Sequence, residues 1–518
     1  MQIKQFFYSG VNLKHKLALQ LFFILLNACA TTWIIQFVFL GKPCFFGSAA
    51  LLTFFLLFNT KVRLIINTLA LLCALLYPVS RTLQDGLLQW ASVEVLMTTD
   101  FNEAAGFQQS LPDSLLYKAV AMACVFLGFI LCNGMLKIQL SRRLTRASFL
   151  CVLCIVPVFA FNAYRNLSPR ISDMYEAYVD LTVANKQELA KPQWVITEDL
   201  GTSKRKYVIV VGESMRKDMM SAYGFPLKTT PNIDALPKRM LSAFITPAAY
   251  TIVSVPRLLS IVRNDGSFES QNNAVTLASA AGLKTYWISS QGYSGHWQLG
   301  AKILSQYADH AYFSPMGIDD LLLPKISETL QKDEAQAIFV HIIGSHENPC
   351  HRLGNFKNIY YTDRGGELLS CYLTTYNRTD NFIFSIISML KKYSGADYSL
   401  MYFSDHGLNF VRESKGFALK RDPLVKESYE SPFFITSGDM TDTKIYNVTR
   451  SGNSLIKFFT TWFGVRTAQL PDNYDIFTAT EDDPMIMGYD EILKPYQSLH
   501  HSLKAEDMAP EVHALPPE

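Results

Sequence analysis

Acidic and imidazole side chains follow three separate apolar runs of this sequence. Glu213 comes after "VIVVG", His346 comes after "HIIGS", and Asp405 with His406 comes after "LMYFS". In a parallel sheet, ligand-binding groups gather outside the carboxyl ends of the strands, so these endings indicate one shared site. Carboxylate and imidazole ligands suit zinc or manganese better than magnesium. The sequence therefore predicts a metal site.

Each of these residues also has a purely structural interpretation. Glu213 could cap the following helix, where a carboxylate is stabilised by the positive end of the helix dipole. His346 could bond a loop carbonyl. Asp405 and His406 could also be structural, but two ionisable groups at a buried strand end require compensation. A metal would supply that compensation.

A metal site with an open position needs a nucleophile or a water. Thr251, in "AAYTIVSVP", directly precedes an apolar run with helical spacing, which predicts a helix N-cap at this position. Helix N-termini bind phosphate, and a metal-coordinated threonine could attack phosphorus to form phosphothreonine. Two alternatives remain at this point, an ordinary capping threonine and Ser214 as the nucleophile.

The elements that would position these residues are short strands. From residue 206 onward, short apolar runs alternate with longer helical segments, which predicts βαβ units and a mainly parallel sheet. The runs are "YVIVVGES", "KTYWISSQG", "AIFVHIIGSH", "SLMYFSDHG" and "SPFFITSG". We therefore expect an α/β domain over residues 206–502. A linker with bridging helices at 166–205 precedes it, and a disordered tail at 503–518 follows.

The first 165 residues have a different character. The chain of 518 residues is 49% hydrophobic with a formal net charge of +2, and its apolar residues are concentrated in this segment. About 20 apolar residues cross a bilayer, so the segment predicts a bundle of five transmembrane helices. Buried core helices and a cleaved signal peptide both fit this pattern poorly. The predicted spans are residues 17–40, 44–59, 64–80, 116–136 and 147–164.

Basic residues predict the orientation of these spans. They are concentrated before the first span, between the second and third, and between the fourth and fifth. The positive-inside rule then places the N-terminus in the cytoplasm and everything after Tyr164 on the outer side. The basic residues in these three segments are Lys4, Lys14, Lys16, Lys61, Arg63, Lys137, Arg142, Arg143 and Arg146.

Cysteine usage agrees with an outer location. Seven of the nine cysteines fall in or beside predicted spans, which leaves Cys350 and Cys371 in the second half of the chain. An even pair in an oxidising compartment predicts a disulfide. The alternative is two free buried thiols.

Several motifs together resemble a known family. "VIVVGESMRKDMMSAYGFPLKTTPNID", "AAYTIVSVP", "GSHENPC" and "YFSDHG", in this order behind five predicted spans, resemble the membrane-bound phosphoethanolamine transferases of the alkaline phosphatase and sulfatase superfamily. The resemblance covers essentially the whole chain. It is closest to less characterised members with "WLSSQ" and "GSHEPAC"-like segments, matched here by "WISSQ" and "GSHENPC".

The resemblance implies roles for individual residues. Thr251 is the expected nucleophile, His346 belongs to a substrate or second-metal region, and Gln291 falls where the family places donor-binding residues. The expected zinc ligands are Glu213, Thr251, Asp405 and His406.

The family also implies a reaction and a location. Its members move phosphoethanolamine from phosphatidylethanolamine to lipid A, a lipopolysaccharide core sugar or a periplasmic glucan, and they release diacylglycerol. We therefore expect a bacterial inner-membrane protein with a periplasmic catalytic domain. Its partners would be a lipid donor and an envelope acceptor, with no nucleic acid, and we expect a monomer.

The chain departs from the family pattern after "YFSDHG". Family members usually have another histidine about a dozen residues later, where this chain has Leu419 and Lys420. A second zinc is therefore in doubt. Lys420 could instead meet phosphate charge directly, since lysine acts as a point charge.

Three other functions remain open at this point. A sulfatase nucleophile motif would need arginine at position 258, four residues after Ser254, but this chain has Leu258. A phosphoglycerol transferase of the lipoteichoic-acid type shares the plan of five spans and a threonine site. The missing histidine also motivates a catalytically weak membrane sensor or scaffold.

Overall fold

The computed structural model describes most of the second half of the chain and three long segments of the first half. The chain divides into two compact units, and the change from the first to the second follows residue 183. The described residues are 13–40, 53, 59–82, 113–133, 171, 189–201, 204–291, 301–314, 318–347, 349–354, 356–363, 367–413, 416–420, 422–472, 474–488 and 492–515.

The described part of the first unit consists of long apolar helices. They are α1 (Leu13–Leu40), α2 (Thr60–Thr82) and α3 (Asp113–Cys132). All three are long and apolar enough to cross a membrane. They correspond to the first, third and fourth predicted spans. The second and fifth spans lie outside the described residues except for positions 53 and 59, so the count of five stays a prediction.

A buried arginine joins two of these helices. The Arg63 guanidinium in α2 is fully buried. It donates from Nε to Asn133 Oδ1 at 2.6 Å and from Nη2 to the Asn133 carbonyl at 2.8 Å, just beyond the end of α3. Asn133 in turn donates from Nδ2 to the Thr60 carbonyl at 3.0 Å. Because the last carbonyls of a helix have no partner within it, Arg63 satisfies the Asn133 carbonyl, and these contacts fix α3 against α2.

The second unit is an α/β domain. Its helices are α4 (Pro231–Ala235), α5 (Thr251–Leu259), α6 (Ala274–Ala280), α7 (Ala301–Ser305), α8 (Leu323–Leu330), α9 (Glu367–Ser394), α10 (Leu455–Trp462) and α11 (Ala505–Met508). The strands up to the end of α9 are β1 (Ile196–Asp199), β2 (Lys206–Gly212), β3 (Arg239–Ile245), β4 (Ser260–Val262), β5 (Phe268–Asn273), β6 (Lys284–Ser289), β7 (His310–Phe313), β8 (Gln336–His341) and β9 (Tyr360–Thr362). The later strands are β10 (Tyr398–Ser404), β11 (Asn409–Glu413), β12 (Gly416–Lys420), β13 (Glu430–Ser431), β14 (Phe433–Ser437), β15 (Lys444–Ser451), β16 (Val465–Thr467), β17 (Met485–Met487), β18 (Leu493–Pro495) and β19 (Val512–Ala514).

A nine-stranded mixed sheet organises this domain, in the order β13-β3-β14-β10-β2-β8-β6-β7 with β15 also on β3. The five strands from β10 to β7 run parallel. Their register aligns Ser404 with Gly212 and His341 with both Val211 and Ser289. The carboxyl ends of β10, β2, β8 and β6 therefore lie at one level of the sheet. The parallel sheet is confirmed for these strands.

One predicted strand runs the other way. The "SPFFITSG" segment contains β14, which pairs antiparallel with β10. The carboxyl end of β14 therefore lies beside the amino end of β10, away from the carboxyl ends of the parallel strands. Asp439, which directly follows this run, pairs there with Lys204 at 2.8 Å.

Alternating strand residues bury both faces of the sheet. Val208 and Val210 belong to one core cluster, which includes α8 and α9 residues, and Ile209 and Val211 belong to another, which includes α5, α6 and α10 residues. Helices thus cover the parallel strands on both faces, which explains why these strands are almost continuously apolar.

The C-terminal tail differs from its prediction. The sequence predicts a disordered tail over residues 503–518. In the structure, Ala505, Met508 and Val512 are buried in the core, and β19 pairs antiparallel with β9. Burial of these few apolar side chains offsets the cost of ordering the segment.

The tail also contacts the segment that follows β2. Arg216 Nη1 donates to the Leu503 carbonyl at 3.1 Å, and the Ala505 amide donates to Asp218 Oδ2 at 3.0 Å. Arg216 and Asp218 are themselves paired at 2.6 Å. The order of residues 503–515 is therefore linked to the turn that begins with Glu213.

Candidate metal centre and nucleophile

The structure brings three of the predicted ligands together. Glu213 follows β2, and Asp405 and His406 follow β10, its parallel neighbour. All three are buried, and each offers a ligand atom within 4.8 Å of the others. The shared register of the two strands places these residues side by side, as the sequence predicts.

The imidazole of His406 is oriented by its own turn. Its Nδ1 lies 2.7 Å from the Gly407 carbonyl, so Nδ1 carries a proton and Nε2 is the ring nitrogen that faces the acidic side chains. Nε2 lies 3.3 Å from Glu213 Oε1 and 3.6 Å from Asp405 Oδ2. A histidine that binds metal typically donates its other ring N–H in this way.

Glycine is required immediately after His406. A Cβ at Gly407 would lie 2.1 Å from the Glu427 carbonyl oxygen, a severe clash with backbone. The absent side chain lets the turn pass against the segment that contains Glu427.

Asp405 carries the clearest indication of a metal-binding role. Its Oδ1 accepts hydrogen bonds from the Ser214 amide at 3.0 Å and from the His406 amide at 2.8 Å. Its Oδ2 is buried and has no hydrogen-bond partner among the described residues. Burial and the Glu213 carboxylate raise the pKa of Asp405 to about 7. A cation bound between these groups would satisfy Oδ2 and relieve that repulsion, so the residues present fit a metal.

The Glu213 carboxylate accepts hydrogen bonds from three side chains of the site. Its Oε1 accepts from Ser214 Oγ at 2.6 Å, and its Oε2 accepts from Thr251 Oγ1 and Gln291 Nε2, each at 2.9 Å. Burial alone would raise the pKa of Glu213, but the adjacent His406 ring lowers that pKa well below its ordinary value. Within the described residues this carboxylate caps no helix, which argues against the structural interpretation.

Thr251 lies one position later than expected. The sequence predicts an N-cap, but α5 begins at Thr251 itself and its N-cap is Tyr250, with no side-chain capping bond. The threonine hydroxyl is used differently, since Oγ1 donates to Glu213 and lies 3.4 Å from His406 Nε2. These contacts argue against an ordinary capping threonine.

Ser214, the alternative nucleophile, is fully buried. Its hydroxyl donates to Glu213, and its backbone φ of 57° is the left-handed value that non-glycine residues rarely adopt. Strain of this kind persists only where surrounding contacts hold it. The geometry favours Thr251 over Ser214 as the group that meets a substrate.

The remaining predicted residues are placed as follows. Gln291 donates both amide hydrogens, to Glu213 and to the Ile342 carbonyl at 2.9 Å, so its visible contacts orient Glu213. His346 follows β8, and its Nδ1 lies 3.3 Å from Arg352 Nη2. The Lys420 backbone pairs with Asn409 in a hairpin, but its side chain lies outside the described residues. The substrate roles of these three residues stay predictions.

Comparison with known proteins defines the family. The sulfatase family model matches residues 205–466, which is half of the chain and contains the predicted metal ligands and Thr251. The chain belongs to the sulfatase family.

Relatives within the sulfatase family carry more specific names. Phosphoethanolamine transferase OpgE of Escherichia coli (strain K12) is 30% identical over 306 residues, which cover 57% of this chain and 57% of that protein. Phosphoethanolamine transferase EptC of Escherichia coli O18:K1:H7 is 29% identical over 284 residues, with 49% of each chain covered. The chain spans about half the length of the curated relatives it matches. The resemblance predicted from the sequence motifs is confirmed.

Solved structures support the fold. Lipooligosaccharide phosphoethanolamine transferase A from Neisseria meningitidis, an integral membrane protein, matches 86% of this chain and 94% of its own with a TM-score of 0.52 and 17% identity. The zinc complex of the C-terminal periplasmic domain of EcEptC from Escherichia coli matches 61% of this chain and 100% of its own, with a TM-score of 0.51 and 21% identity. The α/β domain of this chain therefore has a sulfatase-like fold, and it follows helices long and apolar enough to cross a membrane.

Membership of the sulfatase family does not make Ser254 a nucleophile. Ser254 Oγ is buried and donates to the Asp405 carbonyl at 2.5 Å, and Leu258 is buried in the core. Ser254 therefore fixes α5 against the Asp405 turn, one helical turn after Thr251.

Two tyrosines of this sulfatase-family site were missed by the sequence reasoning. Tyr372 in α9 donates from its hydroxyl to the Ser214 carbonyl at 2.6 Å, and Tyr376 accepts from the Arg216 amide at 2.8 Å. Burial raises the pKa of both hydroxyls, which keeps them as donors. Their spacing of four residues places them on one helix face, and that spacing was the available signal.

One cysteine of the predicted disulfide, Cys371, lies on the same helix. Cys350 and Cys371 are bonded, which joins the segment after His346 to the residue before Tyr372. Ser345 Oγ and Thr375 Oγ1 add a contact of 2.6 Å between the same two segments. One face of α9 thus supports both the Glu213 turn and the His346 turn.

We expect Tyr372→Phe to lower stability by about 1–3 kcal/mol, because it leaves the buried Ser214 carbonyl without its donor. The measurement is the melting temperature of the detergent-purified protein. Tyr398→Phe is the matched control, since Tyr398 is equally buried and its hydroxyl makes no hydrogen bond to any described residue. Equal melting temperatures for the two variants would contradict this role of Tyr372.

We also expect metal affinity to rise with pH up to about 7. Asp405, with its pKa raised to about 7 by burial and by Glu213, must lose its proton before it can bind a metal. Apparent affinity should therefore fall about tenfold for each pH unit below that value. The measurement is a zinc titration, between pH 5 and 8, of protein from which a chelator has removed the metal. A zinc affinity that does not change with pH would contradict this prediction.

Proposed function

We propose that this chain is an inner-membrane transferase that moves phosphoethanolamine from phosphatidylethanolamine to a cell-envelope acceptor. The observation that carries the proposal is the Thr251 hydroxyl, which lies at the start of a helix and 2.9 Å from Glu213. The names of the relatives support the transferred group. The acceptor class we propose is lipid A, lipopolysaccharide core or a periplasmic glucan.

The site residues have distinct proposed roles. Glu213, Asp405, His406 and Thr251 would hold zinc or manganese, a set supported by the buried Asp405 Oδ2 and the orientation of His406. When bound, the metal would make the Thr251 hydroxyl more acidic and offset negative charge on the phosphoryl oxygens. The amide groups of the first turn of α5 are suited to bind the phosphate.

The proposed reaction has two displacements. In the first, Thr251 Oγ1 bonds to phosphorus, the bond from phosphorus to the glycerol oxygen breaks, and the proton held between Thr251 and Glu213 ends on the released diacylglycerol. In the second, an oxygen of the acceptor hydroxyl or phosphate bonds to phosphorus, the bond from phosphorus to Thr251 Oγ1 breaks, and Thr251 takes up the proton that the acceptor gives up. A covalent intermediate of this kind predicts ping-pong kinetics.

The proposed organisation matches a lipid donor. Residues 1–165 form the membrane domain with a cytoplasmic N-terminus, and a linker from residue 166 follows it. The periplasmic catalytic domain consists of residues 206–515 together with β1, which pairs with β16. The membrane helices α1 to α3 support this arrangement. A catalytic domain tethered beside the bilayer meets its lipid substrate at a high effective concentration.

The test separates this function from its alternatives. Detergent-purified protein is incubated separately with phosphatidylethanolamine and phosphatidylglycerol, each labelled in the headgroup, and diacylglycerol release and labelled protein are measured. We expect label transfer from phosphatidylethanolamine only. Transfer from phosphatidylglycerol would identify a phosphoglycerol transferase, and no transfer from either lipid by metal-loaded protein would favour a sensor or scaffold.

A further inference from the structure

A second buried carboxylate lies near the metal cluster but outside it. Asp319 is 2% exposed and precedes α8. Its Oδ1 accepts from Ser290 Oγ at 2.5 Å and from the Ile343 amide at 2.9 Å, and its Oδ2 accepts from the Gly344 amide at 3.2 Å. The carboxylate thus joins the carboxyl ends of β6 and β8.

Each of these two strand ends leads directly to the site. Ser290 precedes Gln291, whose amide holds Glu213 Oε2 at 2.9 Å. Gly344 precedes Ser345, whose backbone amide donates to the Glu213 carbonyl at 3.0 Å, and His346 follows. Asp319 therefore touches neither the metal ligands nor Thr251, but it fixes the peptides on both sides of Glu213.

The geometry leaves little room for these peptides to shift. Gly344 has a φ of +45°, and a Cβ at Gly344 would lie 3.1 Å from the Glu213 carbonyl oxygen. The turn after β8 therefore packs directly on the Glu213 backbone. A change in the position of Gly344 would move either Glu213 or His346.

An arginine from α9 balances the charge of Asp319. Arg378, also 2% exposed, has its Nη1 3.9 Å from Asp319 Oδ2. The same nitrogen donates to the Arg352 carbonyl, in the segment that follows His346. The Asp319–Arg378 pair thus connects the ends of β6 and β8 to the segment after His346, which the disulfide joins to α9.

We propose that Asp319 is a positioning residue for the transfer reaction, one that sets the spacing of Gln291 and His346 about Glu213. This inference rests on the proposed function. A carboxylate suits the task because it only accepts hydrogen bonds, and all three of its hydrogen-bonding neighbours are donors. An asparagine would present an amide N–H to at least one of these donors.

The experiment uses Asp319→Asn with Asp380→Asn as its matched control. Asp380 is equally buried and accepts backbone hydrogen bonds from Asn232 at 2.9 Å and Ile233 at 2.7 Å, at the start of α4. Both variants leave a buried amide facing backbone donors. Only Asp319→Asn alters peptides that lead to the site.

Three quantities are measured on the full-length protein in detergent. They are the bound metal by mass spectrometry, the rate of phosphoethanolamine adduct formation per metal-loaded molecule, and backbone hydrogen exchange in peptides covering residues 289–291 and 342–346. We expect Asp319→Asn to slow adduct formation by about 10- to 100-fold, because small misplacements near a reacting group cost rates of this size. Exchange should rise in both peptides. Asp380→Asn should leave the adduct rate within about twofold of wild type.

Two outcomes overturn the inference. One is an adduct rate that falls equally in both variants, and the other is exchange in the two peptides that is unchanged by Asp319→Asn. If wild type itself forms no adduct, the proposed function fails, and hydrogen exchange alone decides the role of Asp319. If Asp319→Asn does not fold, Ser290→Ala replaces it, since this change removes one donor to Asp319, and a smaller loss of rate is expected with the same rise in exchange.

Discussion

Thr251→Ala removes the phosphoethanolamine adduct and lowers transfer by on the order of 10³-fold or more, as expected for loss of a nucleophile. The physical reason is that Thr251 Oγ1 is the hydroxyl that lies both at the first turn of α5 and against Glu213. Mass spectrometry of the peptide that contains residue 251 measures the adduct. Thr251→Ser should retain an adduct on the same peptide, because it keeps a hydroxyl at this position.

Thr246→Ala is the control for the loss of a threonine hydroxyl elsewhere in the domain. Thr246 Oγ1 lies 3.1 Å from the Tyr429 carbonyl and outside the metal cluster, so this variant should still form the adduct. An adduct that persists in Thr251→Ala and disappears in Ser214→Ala would reverse the assignment. An adduct that survives in every one of these variants would exclude both residues as the nucleophile.

Glu213→Gln lowers metal affinity at least about tenfold and removes the stabilisation that metal confers. Glutamine nearly preserves the shape of Glu213, but it replaces the negatively charged carboxylate that contacts Thr251, Ser214 and His406 with a neutral amide. The melting temperature is measured against added zinc, and bound metal is measured after desalting. Wild type should show a rise in melting temperature with zinc, and Glu213→Gln should show little or none.

Asp380→Asn serves as the control here because it changes an equally buried carboxylate away from the cluster. It should lower the melting temperature without zinc and still gain stability when zinc is added. If Glu213→Gln binds zinc as tightly as wild type, Glu213 is not a ligand and its contacts are structural.

The main features of the cluster could be predicted because they depend on strand direction. Glu213 and the Asp405–His406 pair follow neighbouring parallel strands, so their sequence positions alone bring them to one edge of the sheet. Thr251 was identifiable from its place before an apolar helical run. Its exact helix position was not, because helix boundaries shift by a residue or two with local hydrogen bonding.

Other features depend on tertiary contacts that the sequence does not encode locally. The partner of the Gln291 amide is Glu213, 78 residues away. The antiparallel direction of β14 depends on its pairing with β10, since an apolar run reads the same in either direction. The order of the tail could not be predicted, because its few apolar residues gain a partner only once the core has formed.

The contacts of Arg216 and Asp218 with Leu503 and Ala505 have a consequence for synthesis. Residues 503–505 are translated after every proposed ligand and after Thr251. A domain generally folds as a unit, and its residues become available in N- to C-terminal order during synthesis. The turn after β2 therefore receives these supports last, so assembly of the site is completed only when almost all of the domain has been made.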